Sequence, residues 1–258
     1  MDLDFEDKFL KTFETSVFLE DVNLVNLQCI SFKIFIMKKE FVITEDGSHT
    51  LYIPDLDEHY HSTHGAIQES LHIYINQGLL QVEKESINIL EIGFGTGLNA
   101  FLTYAYSNLQ KLKVNYITVE KYPLTAEEYK KLNYPDSIFP EFKDVFEQIH
   151  STCWNVPTDI SSHFKLQKIH ADLLSFSFEN FPHFDLVYYD AFAPGKQPEM
   201  WTDEIISKVS SSVTTNGIVV TYCAKGSVRR SFSSAGFAMS RLPGPIGKKE
   251  ILQGKKTL

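Results

Sequence analysis

INILEIGFGTGLN, residues 87–99, is the stretch from which the rest of the chain is read. Ile87, Ile89, Leu90 and Ile92 form a short apolar run of the kind that makes a strand buried on both faces. The run passes Glu91 into Gly93, Gly95 and Gly97, and then into LNAFLTYAYSNL (98–109), which suits a helix. Strand, glycine turn and helix follow in that order. Three glycines at alternate positions let the backbone turn sharply and bring bare amides against a ligand that a Cβ would exclude.

The spacing selects the ligand. A dinucleotide site wants G-x-G-x-x-G, with the pyrophosphate on the helix amino end. Here the third glycine comes one residue early and an acid precedes the first. E-x-G-x-G-x-G suits a ligand with an ammonium group and no phosphate, namely S-adenosylmethionine. Glu120 closes the next apolar run, VNYITVE (114–120), where a carboxylate can accept both ribose hydroxyls. Asp172 follows a third run, Phe164 to Ile169, and can either meet the adenine amino group or cap a helix.

Outward from this centre, strands alternate with helices. HFDLVYYD (183–190) is a fourth strand, a helix is expected over about 202–212, and NGIVVTYC (216–223) is a fifth strand. A strand beginning at Gly236 and Phe237 and a last one in GKKEILQG (247–254) fit an antiparallel edge. The expected class is α/β, a Rossmann-like, mostly parallel sheet with helices on both faces. EFVIT (40–44) and HTLYIP (49–54) flank a turn at Glu45 to Ser48 and predict a small N-terminal hairpin. EFKDVFEQIH (141–150), set among Pro135, Pro140 and Pro157, predicts a helical insertion over about 133–163. Residues 1–36 lack a clean period and are read as an extension ahead of a domain over 37–258, with Met37 a plausible start.

Composition narrows the partners. Cys29, Cys153 and Cys223 are scattered and odd in number, which indicates neither a disulfide framework nor a zinc site. No apolar run reaches the ~20 residues of a membrane span, and the acidic MDLDFEDKFLK start lacks the basic charge of a secretory signal. A soluble cytoplasmic protein with no membrane association and no obligate protein partner is expected. Net charge is −9, yet the segment from Val219 to Leu258 holds eight Lys and Arg against Glu250 alone. A basic face on an acidic body and a merely solvated basic end are both open readings. His59, His61 and His64 cluster before a helix. No carboxylate or cysteine completes a ligand set at helical spacing, so a loop covering the cofactor is preferred to a metal site.

In sheets of this kind ligands bind outside the carboxyl ends of the strands, where strand order reverses. Glu91, Glu120, Asp172 and Asp190 converge there. Asp190 opens D-A-F-A-P (190–194), which resembles the D-P-P-Y type of loop in methyltransferases acting on amino groups attached to nucleobases. In that geometry the acid and a neighbouring carbonyl hold the attacking nitrogen and an aromatic ring, here Phe192, stacks on a flat base.

ILEIGFGTGLN, VEKYPLT, DAFAPGKQPEMW and PGPIGKKEI, with HSTHGAIQES before them, together resemble the methyltransferase domain of the MnmC family, bacterial enzymes of transfer-RNA wobble-uridine modification, and its stand-alone relatives. The likeness runs from about Lys38 to Gly254. It implies methyl transfer from S-adenosylmethionine to the primary amine of 5-aminomethyl-(2-thio)uridine in the anticodon loop. Glu91, Gly93, Gly95, Gly97, Glu120 and Asp172 would bind cofactor, Asp190 and Phe192 would hold the reacting base, and Lys248 and Lys249 would meet RNA phosphates. The family's bifunctional members carry a flavin-dependent oxidase after this domain. The chain ends at Leu258, so no FAD is expected. An N-methyltransferase of a small amine or another nucleobase is the alternative, since cofactor residues do not fix the acceptor.

Overall fold

The computed structural model describes residues 38–257. The expected extension over 1–36 lies outside the described residues. Sequence order gives β1 (Glu40–Ile43), β2 (His49–Ile53) and β3 (Glu58–His59), which form a small antiparallel sheet. A short α1 (Ala66–Ser70) runs directly into a π-helical turn, Leu71–Asn76. Then come β4 (Ser86–Ile92), α2 (Leu98–Gln110) and β5 (Lys113–Glu120). Three short helices follow, α3 (Ala126–Tyr129), α4 (Tyr134–Ile138) and α5 (Lys143–Ser151). The remainder is β6 (Thr158–Asp159), β7 (Phe164–His170), β8 (Phe184–Tyr189), α6 (Asp203–Ser211), β9 (Val213–Thr221), α7 (Gly226–Ser234), β10 (Phe237–Pro243) and β11 (Glu250–Lys256).

Eight strands make the main sheet in the order β10-β11-β9-β8-β4-β5-β7-β6. β4 pairs in parallel with β5 and β8, and β7 and β9 extend the parallel region on either side. β11 enters antiparallel to β9 and β10, so the C-terminal edge is antiparallel as the sequence predicts. The chain leaves β4 for β5 on one side and later returns to β8 on the other. The switch point therefore lies at the carboxyl end of β4.

The period-2 pleat assigns each strand residue a face. Ile87 and Ile89 of β4 pack with Leu98, Phe101 and Tyr74, whereas Leu90 and Ile92 pack with Ile205, Ile206 and Phe232. Two apolar cores thus enclose the sheet, one under α1, α2 and the α3–α5 lobe and one under α6 and α7. This explains why apolar residues fall on both faces of the central strands. α3 starts with a capping box, Thr125 and Glu128 each bonding the other's backbone. Gly97, at φ 71, lies at the amino cap of α2, where only a residue without Cβ turns at low cost. A Cβ there would lie 2.7 Å from His150 Nε2 of α5.

Candidate functional site

A cleft of about 360 Å³ opens at the carboxyl ends of β4, β5 and β8. That volume lies in the range of small-molecule and cofactor sites. Its floor is the glycine turn. Gly93 takes φ 92 and lies so close to the neighbouring chain that a Cβ would sit 2.7 Å from the Asp190 carbonyl oxygen. A Cβ on Gly95 would meet the Tyr60 ring at 3.1 Å. The Glu58–His64 stretch lines the cleft, with Tyr60 packed edge-on to Phe192 at 5.1 Å between ring centres.

Glu120, at the end of β5, faces the cleft. One carboxylate oxygen accepts the Gly95 amide at 3.0 Å and the other accepts the Tyr122 amide at 2.7 Å. Each oxygen keeps a second lone pair, so the group that fixes the glycine turn can also receive a pair of hydroxyls. Asp172 also lines the cleft. Its Oδ1 accepts the Leu174 amide at 3.0 Å and its Oδ2 meets Lys121 Nζ at 2.7 Å. These bonds to Lys121 and Leu174 outweigh partial burial and hold the carboxyl below the ordinary carboxylate range. The capping role takes the form of a turn, since no helix follows Asp172.

Glu91 is placed differently from its expected role at the cofactor. The pleat turns its side chain toward α2, away from the cleft, and leaves it fully buried. It lies opposite Thr118 of β5 and Tyr188 of β8. Thr118, Asn99 and Tyr116 are its polar neighbours, and neither carboxyl oxygen has a well-aligned hydrogen-bond partner. Burial pushes its pKa well above the usual carboxylate range, and the Asp190 charge adds to the effect.

Asp190 sits where β8 ends and opens on the cleft beside Phe192. Tyr74 donates its hydroxyl to Oδ1 at 2.5 Å and Asn99 donates Nδ2 to Oδ2 at 2.9 Å. Burial pushes the carboxyl up to about 7. The neighbouring Glu69 adds to this, while the bonds from Tyr74 and Asn99 and the Lys248 cation act against it. The loop after Asp190 is pinned through its carbonyls: Tyr222 donates to Ala191 at 2.8 Å and Trp201 Nε1 donates to Phe192 at 2.7 Å. The Asp190 carboxyl lies in the cleft lining between this pinned loop and the glycine turn.

The two basic candidates part company. Lys248 turns into the cleft, pairs with Glu69 at 2.9 Å and lies 4.7 Å over the Tyr222 ring, while Lys249 is exposed. Lys248 is therefore not a free phosphate contact. Buried Glu69 also accepts the Ser62 amide at 2.6 Å. The histidines scatter: His59 packs on Tyr52, His61 bonds Thr50, and His64 pairs with Glu45. Among the described residues no cluster of His, Cys, Asp or Glu is arranged to hold a metal ion. No helix among them is long and apolar enough to cross a membrane.

Reasoning from sequence missed Tyr74, Asn99, Glu69 and Tyr222. Asn99 was the most accessible, as a polar residue directly after the glycine motif on the first turn of α2. Tyr74 gave no signal, since it is flanked by Ile73 and Ile75 and reads as core.

The glycine turn, the free lone pairs of Glu120 and the acid at Asp172 fit a bound nucleoside, and Asp190 stands beyond the turn on the side away from Glu120. Comparison with known proteins agrees with that chemistry. Residues 140–257 match a family described as S-adenosyl-L-methionine-dependent methyltransferase. The bifunctional protein MnmC of Leptospira borgpetersenii, described by the biosynthesis of 5-methylaminomethyl-2-thiouridine in transfer RNA, is 32% identical over 213 residues. That alignment covers 77% of this chain and 32% of the relative, so the chain spans about a third of the length of the curated relatives it matches. The crystal structure of MnmC2 from Aquifex aeolicus superposes with a TM-score of 0.69 at 30% identity, covering 86% of this chain and 71% of that one. Spermidine synthase from Thermotoga maritima shares the fold alone, with a TM-score of 0.52 at 13% identity over 85% of this chain and 72% of that one. By its match over most of the length of MnmC2, the chain belongs to the MnmC family of S-adenosyl-L-methionine-dependent methyltransferases.

Proposed function

We propose that the chain methylates the primary amine of 5-aminomethyl-(2-thio)uridine at the wobble position of transfer RNA, giving 5-methylaminomethyl-(2-thio)uridine. The observation that carries this reading is the Asp190 carboxyl, held from two sides and open to the cleft beside the Phe192 ring. The names of the MnmC relatives support the acceptor.

Gly93, Gly95 and Gly97 would shape the cofactor turn, Glu120 would accept the ribose hydroxyls, and Asp172 would meet the adenine edge. When bound, the cofactor supplies an electrophilic methyl group on a sulfonium. An aliphatic amine, with a reference value of roughly 10.4, is mostly protonated at neutral pH and has no lone pair to attack with. Asp190 takes that proton, frees the lone pair and offsets the positive charge that grows on nitrogen as the N–C bond forms. Phe192 would stack on the flat base, with Tyr60 packed edge-on behind it to exclude water. An anticodon-loop base is already unpaired and can be splayed out cheaply. Glu91 carries no cofactor contact in this reading and serves beneath the site. Exposed Lys249, with exposed Lys225 and Arg229 beyond the carboxyl end of β9, would meet phosphates.

Methyl transfer from labelled S-adenosylmethionine to bulk transfer RNA from cells lacking this protein, followed by nucleoside analysis, tests the assignment. Label in 5-methylaminomethyl-(2-thio)uridine is the expected result. Labelling of free small amines without dependence on transfer RNA would move the acceptor to the alternative class.

A further inference from the structure

We propose that Tyr74 is a positioning residue for the transfer, its hydroxyl and the Asn99 amide together locking the Asp190 carboxylate with lone pairs of both oxygens turned toward the incoming amine. This rests on the assignment of Asp190 as the group that receives the amine's proton.

Tyr74 is buried, yet it is not spent on the core. Its ring packs on Tyr188 at 5.2 Å between centres, and its hydroxyl reaches 116 residues along the chain to Asp190 Oδ1 at 2.5 Å. It sits in the π-helical turn Leu71–Asn76, in which Ile73, Tyr74 and Ile75 are all buried. Such a turn is wider than an α-helical one, and π-turns concentrate at functional sites. The carboxyl-terminal side of the turn is tied down. Gly78 lies against the Tyr74 carbonyl, where a Cβ would sit 2.4 Å from that oxygen, and Gln253 of β11 donates to the Gln77 carbonyl at 2.8 Å. The Tyr74 phenol is therefore delivered by backbone packed against Gly78 and held to β11 through Gln77.

Two neutral donors, one on each oxygen, remove the free rotation of a carboxylate and leave its remaining lone pairs in one plane. They also stabilise its charged form. The other titratable groups facing Asp190 are Glu69 of α1, Glu91 of β4, Tyr116 of β5, Tyr222 beyond β9 and Lys248 before β11. Among these Lys248 is the only cation, and it is paired with Glu69. Removing the Tyr74 hydroxyl therefore leaves Asp190 harder to ionise.

Tyr74→Phe deletes one oxygen and keeps the ring against Tyr188. We expect kcat for methylation of transfer RNA to fall about tenfold, with S-adenosylmethionine affinity within about twofold. The acidic limb of the kcat against pH profile should move upward by about one unit. The Asp190 carboxyl carbon, followed by 13C NMR in the free protein, should titrate at correspondingly higher pH. An unmoved limb together with an unmoved carboxyl titration would overturn the proposal and leave Tyr74 as packing. Asp190→Asn separates this from the underlying assignment: if it keeps full turnover, the role of Asp190 itself falls. If it is inactive while Tyr74→Phe titrates as wild type, only the role of Tyr74 falls.

Discussion

Asp190→Asn should lose activity and gain stability, and both follow from one carboxyl. The ordinary value for the group is 3.8 and the folded chain raises it to about 7. Between those limits the unfolded chain is ionised while the folded chain holds the proton. Wild-type stability therefore falls as pH rises from about 4 to 7 and levels off above. At 1.36 kcal/mol per unit the whole effect is at most about 4 kcal/mol, reduced because the carboxyl opens on the cleft and water screens it. The asparagine variant lacks this slope. Its thermal midpoint should be flatter over pH 4 to 7 and higher than wild type at pH 8. In the same variant the amine loses its proton acceptor. At pH 7.4 only ~0.1% of an amine of pKa about 10.4 is free, so turnover should drop about 10²–10³-fold. It should then recover nearly tenfold per pH unit as free amine accumulates, with cofactor affinity within several-fold of wild type. Labelled methyl transfer across pH 7 to 10, calorimetric titration with S-adenosylmethionine and thermal melts give the three readouts. Equal loss of cofactor binding and turnover, or a stability curve parallel to wild type, would refute the role of Asp190 as a strained proton acceptor.

Glu120→Gln replaces one of two oxygens that hold the Gly95 and Tyr122 amides with a donor. Cofactor Kd should rise about tenfold or more while kcat at saturation changes little, and an unchanged Kd by titration would remove Glu120 from the cofactor site. Lys249→Ala should weaken transfer-RNA binding and lower the slope of log affinity against log salt by about one. Lys248→Met should leave that slope unchanged and instead move the acidic limb of turnover upward, because it removes a cation near Asp190 and strands Glu69; a reduced slope in binding assays would return Lys248 to the phosphate contacts. Lys168, buried 4.8 Å over Trp154 and bonded to the His150 carbonyl, has its pKa lowered by burial to about 8. The unfolded chain binds more protons between pH 8 and 10.5, so wild-type stability should rise across that window, and Lys168→Met, followed by thermal melts, should abolish the rise.

The parts of the fold that were legible in the sequence are those carried by local signals. The apolar runs that lead to Gly93, Glu120 and Asp190 became β4, β5 and β8 of the parallel region, with their carboxyl ends at the cleft. The basic pair shows the limit of that reading. Lys248 and Lys249 are adjacent and chemically alike, yet one turns inward to Glu69 and the other stays exposed. Nothing in a linear sequence separates them, because the difference is made by a buried carboxylate 179 positions earlier on α1. The histidine cluster is similar: three imidazoles close in sequence are drawn to Tyr52, Thr50 and Glu45 by a sheet whose pairing the spacing does not encode.

Glu91 carries the deepest lesson of the site. An acid two residues before a glycine turn is naturally taken for a cofactor ligand, but its direction is set by the parity of β4. Ile87 and Ile89 face α2, so Glu91 must as well, and it arrives among Thr118, Tyr116 and Asn99 under the cleft floor. A buried carboxyl there is costly, whatever its charge, unless polar neighbours satisfy it. One of those neighbours is Asn99, whose amide nitrogen holds Asp190. A charged Glu91 would repel Asp190, and burial together with that repulsion raises the Glu91 pKa. The acid at the head of the motif thus lies beneath the cleft floor, and the helix that the same motif begins supplies, through Asn99, one of the two donors that hold Asp190.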